Sequence, residues 1–232
     1  MHTWEIEYER GKRWLHRHHA LKALNCFERA LLTIPTERVQ ALCRRPSARH
    51  DLARLFRFFS IALRHAGLKN RAVASLVEST RLVKRGAGRR KLYAVTNAYG
   101  MACQPTPAQD DKHAFYGIQL SRYLESKASH RLGNRAEIDM VADLIDEYWD
   151  YVQETFPLSE LTIAQKRTLF NEVHLIFPFS SPPTGTGKAV RVDFLHGRTL
   201  ESNDVCSCGS GLPVKLCHGR IPGFDELLVG EF

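Results

Sequence analysis

The chain has 232 residues, of which 44% are hydrophobic and 25% charged, and a formal net charge of +8. That composition is ordinary for a globular chain of one or two domains with enough apolar residues for a core, and it excludes a chain too polar to fold. No stretch approaches 18 apolar residues, which argues against a membrane span. The charge is unevenly spread: residues 1–92 hold 21 lysines and arginines against 7 acids, and residues 93–232 hold 12 against 18. Such asymmetry implies either an acidic partner for the first half or two halves that face each other. The chain starts without a basic-then-apolar leader, and Cys26, Cys43 and Cys103 are scattered along apolar patterns. That usage predicts a cytoplasmic protein in which those three thiols are small core residues.

The first 35 residues predict helices at about 4–17 and 20–33. Gly11 and Ala23 are small enough to let two antiparallel helices approach, Trp14 and Phe27 fill the seam, and Pro35 ends the second helix. With Ala30, these residues sit at spacings that resemble a tetratricopeptide repeat. The resemblance implies that neighbouring helices stack on the pair, because one repeat cannot bury its faces alone. A more degenerate second pair is expected at 49–66 and 70–85, broken by Gly67, with Ala62 and Ala74 repeating the Gly11–Ala23 interval. Glu78 and Arg81 stand where the pattern wants Phe and Ala. Further helices are expected at 91–103, 108–128, 135–155 behind Asn134, and from Ser159 or Thr162 to about 177. Residues 179–200 read as a linker holding one short strand candidate at 190–194.

The most specific signal lies in the tail. Cys206, Cys208, Cys217 and His218 fall within thirteen residues, a donor set and spacing suited to a closed tetrahedral zinc site. Four protein ligands leave no open position, so the ion is expected to hold structure and not to catalyse. Gly209 and Gly211 can turn backbone amides towards the sulfurs, and Lys215 offsets the net charge of three thiolates. The run Cys206-Ser207-Cys208-Gly209-Ser210-Gly211, continued by Lys215, Cys217 and His218, is similar to the SEC-C motif, named for the C-terminal tail of the preprotein translocase ATPase SecA. The match covers about 205–220. By resemblance, the same four residues are the zinc ligands, and the motif implies a docking module, because such tails contact the SecB chaperone and ribosomes. The chain departs from the pattern at Val214, where an aromatic is common, and at Leu212 and Pro213, where such tails are basic. Those three positions are expected to face outward.

Other features carry bland readings. Gly185 to Ala189 resembles a phosphate loop but lacks its first glycine and the hydroxyl after Lys188. His16, His18 and His19 fit a solvated face. Asp139, Asp143, Asp146, Glu147 and Asp150 fit a solvated or Arg-paired stripe, with Glu172 and His174 the one pair that could complement it. Arg44, Arg45 and Arg49, and then Arg85, Arg89, Arg90 and Lys91, form two clusters suited to phosphate or an acidic partner. The fold expected is mainly α: a tetratricopeptide-like helical domain over 1–178, with the repeats at 4–85, then the linker and a small zinc knuckle with its tail at 201–232. The function expected is a non-enzymatic adaptor or chaperone-like protein that docks macromolecular partners and takes no small-molecule substrate. The alternative is a nucleic-acid- or ribosome-associated factor that uses the arginine clusters.

Overall fold

Gly11 lies beneath the ring of Phe27, so close that a Cβ there would sit 2.5 Å from the Phe27 Cε1 atom. This approach sets the first helix pair, α1 (Thr3–His16) and α2 (Ala20–Leu32). Ala23, Phe27 and Ala30 of α2 are wholly buried. In this computed structural model the described residues are 3–34, 36–127, 129, 131–177, 191–193, 198–200, 203–206 and 210–217. Among them the protein is mainly helical.

A third helix, α3 (Thr36–Arg44), has no counterpart in the sequence reading. It is nine residues long and is anchored by Val39, 3% exposed, with Leu42 and Cys43 partly buried against the core, a short apolar pattern that does not announce a helix. α4 (Pro46–His65) begins three residues earlier than expected, with Pro46 in its first turn, where a missing N–H costs nothing. α5 (Lys69–Leu82) follows after Gly67, whose φ of +84° makes the reversal. The α4–α5 seam is closed by hydroxyls: Ser75 Oγ donates to the Phe56 carbonyl at 2.7 Å and Ser79 Oγ to that of Ala53 at 2.8 Å. Ala62 is buried as expected, but Ala74 is exposed, and Ala72, Ser75 and Ser79 take the close-packed face. A serine whose hydroxyl is bonded across the seam can occupy a small-residue position, which is why the polar pattern concealed it. The edge-on pair Phe27–Phe59, 6.5 Å between centroids, joins α2 to α4, so the two hairpins share one core.

The helix expected at 91–103 is shifted. α6 spans Ala87–Val95, and the chain then turns. Asn97 Oδ1 accepts the backbone N–H groups of Tyr99 and Met101, both at 3.0 Å, which builds a local turn in competition with helix. Gly100, at φ +82°, completes it.

The second core lies among α7 (Pro107–Glu125), α8 (Arg135–Thr155) and α9 (Ile163–Glu172). α7 is capped by Thr106, whose side chain accepts the Gln109 N–H. Asn134 caps α8, and Thr162 with Gln165 forms a capping box on α9. Phe115, Trp149 and Phe170 meet at 5.6–5.9 Å between centroids. α9 stops at Glu172, short of the expected 177. The wholly buried Gln119 donates to the carbonyls of Phe170 and Val173, at 2.8 and 3.0 Å, and Arg122 to that of Val173 at 2.7 Å. These side chains satisfy the carbonyls that another turn of helix would have used. Two short strands, β1 (Arg191–Asp193) and β2 (Arg198–Leu200), pair antiparallel with Val192 opposite Thr199. The linker stretch 179–190, including the phosphate-loop-like residues, lies outside the described residues, as does the tail from 218 onward.

Candidate metal centre and charged surfaces

Asp204 to Cys206 and Leu212 to Val214 form a small antiparallel hairpin. The Cys206 N–H donates to the Leu212 carbonyl and the Val214 N–H to that of Asp204, both at 2.8 Å. Gly211, at φ +77°, leads into the second arm of the hairpin. A 3-10 turn over Val214–Leu216 then delivers Cys217. Ser210 is woven into this loop: its Oγ lies 3.3 Å from Cys217 Sγ and accepts the Leu212 N–H at 3.2 Å. The hairpin therefore places Cys206 at its start and Cys217 just past its end. Cys208, Gly209 and His218 lie outside the described residues, as does the side chain of Lys215. Among the described residues no three Cys, His, Asp or Glu side chains come close enough to hold a metal.

The hairpin is seated on the helical body. Cys206 and Val214, 4% and 6% exposed, belong to one buried cluster with Val73, Leu76 and Val77 of α5, Leu92 of α6 and Ala102 of the turn. Val214 thus faces inward, contrary to the outward position expected of it. Its small size suits it to a seat against two helices. Leu212 remains partly exposed, at 42%.

Beneath the seat, Asn70 joins three elements. Its Oδ1 accepts the Ala102 N–H at 2.9 Å, and its Nδ2 lies 3.1 Å from His113 Nε2 on α7. An amide donor there requires an unprotonated Nε2. Burial holds His113 well below its ordinary value of 6.5, at about 4, and the carboxylate of Asp110 only partly opposes this. Between pH 6.5 and 4 the unfolded chain binds a proton at this residue that the folded chain refuses, so stability falls as pH falls through that window. The shift corresponds to about 3 kcal/mol. His113→Gln keeps an acceptor for Asn70 and removes the titration. Urea midpoints of this variant, measured from pH 7 to 4.5, should lose most of the acid sensitivity of the parent chain. Parallel pH profiles for the two proteins would assign that sensitivity elsewhere.

The two predicted basic clusters lie at one end of the α4–α5 hairpin. Arg44, Arg45 and Arg49 are exposed where α3 ends and α4 begins, and Arg85, Arg90 and Lys91 are exposed beside the start of α6. The Ser79–Ala53 bond fixes this end, since it aligns the last turn of α5 with the first half of α4. Arg89 is half-buried and lies over the Tyr93 ring at 5.5 Å, with Nη2 3.2 Å from the phenol oxygen.

A third cationic surface escaped the sequence reading. The outer faces of α1 and α2 enclose a groove of about 540 Å³ lined by Arg10, Arg13, Arg17, Lys22, Arg29 and Trp14. The signal was present: positions 10, 13 and 17, and again 22 and 29, recur at helical spacing on either side of a short turn. The acidic stripe of α8 is solvated as expected, with Asp139 paired to Arg135 and Asp146 to Lys112, both at 2.9 Å. Glu172, His174, His16, His18 and His19 are exposed. Cys26 is buried and Cys43 half-buried, but Cys103 is exposed and is not a core residue.

Compared with protein-family models, curated proteins and solved structures, the chain matches none of them. No helix among the described residues is long and apolar enough to cross a membrane.

Proposed function

We propose that the chain is a non-enzymatic adaptor of the cytoplasm, with a tetratricopeptide-like helical body and a structural zinc knuckle as two docking elements. One observation carries the reading: the Cys206–Cys217 hairpin is packed onto α5 and α6 through Cys206 and Val214. A tail held this way displays its remaining surface at a fixed place on the body, which is what a two-point adaptor requires. Two thiols of the expected donor set support zinc: Cys206 stands at the start of the hairpin and Cys217 just past its end, and the Ser210 hydroxyl lies 3.3 Å from Cys217 Sγ. Cys206, Cys208, Cys217 and His218 would hold the ion, with Gly209, Gly211 and Lys215 supporting them. Bound zinc supplies a tetrahedral staple in a segment with almost no core of its own.

A second reading, association with nucleic acid or the ribosome through the two arginine clusters, is favoured by their shared end of the hairpin. One experiment separates the two. Tagged protein is recovered from native cells in nuclease-treated and untreated halves, and bound species are identified by mass spectrometry. The adaptor reading expects defined protein partners that survive nuclease and are lost with Leu212→Asp, which alters the exposed knuckle surface. Partners that all vanish with nuclease overturn it in favour of the second reading.

A further inference from the structure

The groove between α1 and α2 carries a surplus of positive charge among the described residues. Arg10 is paired with Glu7 at 2.9 Å. Among the described residues no carboxylate pairs with Arg13, Arg17, Lys22 or Arg29, and all four are exposed. Five cations around a single concavity repel one another, a cost the fold bears unless an anion enters. Trp14 holds two of them in place: Lys22 Nζ lies 4.6 Å and the Arg17 guanidinium 5.6 Å from the indole centroid. Ordering these long side chains before binding reduces the entropy lost when a ligand arrives.

We infer that this groove binds the backbone of single-stranded nucleic acid, with the arginines on phosphates and Trp14 as the aromatic wall beside a base. Three observations favour this ligand over an acidic peptide. Four of the five cations are arginines, whose planar forks take phosphate oxygens in pairs. An aromatic ring interleaved with cations suits a strand whose bases are free to stack. The 540 Å³ volume is in the range of small-ligand pockets, room for a short stretch of strand and far too little for a duplex. The site uses other helices than the Arg44–Lys91 clusters and does not depend on the adaptor reading.

The test uses the full chain and a fluorescein-labelled uridine dodecamer, with anisotropy read over a series of salt concentrations. Arg13→Ala with Arg17→Ala should weaken binding roughly tenfold and lower the slope of log affinity against log salt by about 1.4, the value for two phosphate contacts on a single strand. Both side chains are exposed, so circular dichroism should be unchanged. Arg131→Ala with Arg135→Ala, exposed cations outside the groove and both clusters, should leave affinity and slope alone. Binding that is absent in the parent chain, unaffected by the Arg13/Arg17 pair, or weakened as much by the Arg131/Arg135 pair overturns the assignment. Displacement of the oligonucleotide by polyglutamate at equal charge concentration would overturn it too, and assign the groove to an acidic protein segment.

Discussion

Lys166→Met is expected to destabilise the α7–α9 unit by 3–5 kcal/mol, on the order of 10 °C in Tm for a chain of this size. Lys166 Nζ lies 2.6 Å from Asp111 Oδ2, and Tyr99 donates its hydroxyl to Asp111 Oδ1 at 2.5 Å. Asp111 is 5% exposed, Lys166 9% and Tyr99 1%. Burial, reinforced by the carboxylate, pushes the Tyr99 phenol far up, so it remains a donor at any physiological pH. Without Lys166 the carboxylate is left buried with one neutral hydrogen bond, and the desolvation of its charge is no longer offset. Asp111→Asn should cost less, because the ammonium at the end of a long side chain can move towards water while the amide keeps the tyrosine bond. The double variant Lys166→Met/Asp111→Asn removes both charges and should be more stable than Lys166→Met alone. Urea unfolding of the four proteins measures the cycle. Additive losses, or a Lys166→Met loss below 1 kcal/mol, would show that the pair is not energetically buried.

This triad also shows why half of the fold could be read and half could not. Local signals were legible: Asn134 before an amphipathic run gave α8 its start, and Gly11 with Ala23 and Phe27 gave the first hairpin its seam. What escaped depends on partners distant in sequence. Asp111 and Lys166 stand 55 positions apart, and neither looks buried in its own helix. Gln119 ends α9 from across the core, so nothing near residue 172 announces the stop. Ser75 and Ser79 read as polar surface until the α4 carbonyls are placed beside them. The tail divides in the same way. Its Cys and His spacing is local and legible, whereas its seat is made by Val73, Leu76 and Val77, which look like ordinary core positions of α5. The cations of the α1–α2 groove are split between two helices, so neither helix alone announces a charged concavity.

Metal removal should have the largest effect on the tail and a small one on the body. Protein made with ample zinc should contain one zinc per chain by metal analysis, and none after Cys208→Ser. In small zinc peptides the ion supplies on the order of 10 kcal/mol of folding free energy, far more than the few apolar contacts of the hairpin. Among the described residues, two of the three buried clusters contain no knuckle residue, so the far-UV helical signal should survive metal loss almost intact. The third should not: release of Cys206 and Val214 uncovers Val73, Leu76, Val77 and Leu92, and a dye that reports exposed apolar surface should bind. Val214→Asp separates the seat from the ion. A carboxylate there cannot be buried against α5 without a partner, so the tail should detach while zinc is retained. Zinc-free parent protein would remove the metal from the account, and wholesale loss of helix on chelation would mean that the body depends on the knuckle. Detachment in Val214→Asp with zinc still bound would show that the ion shapes the hairpin and that α5 and α6 position it.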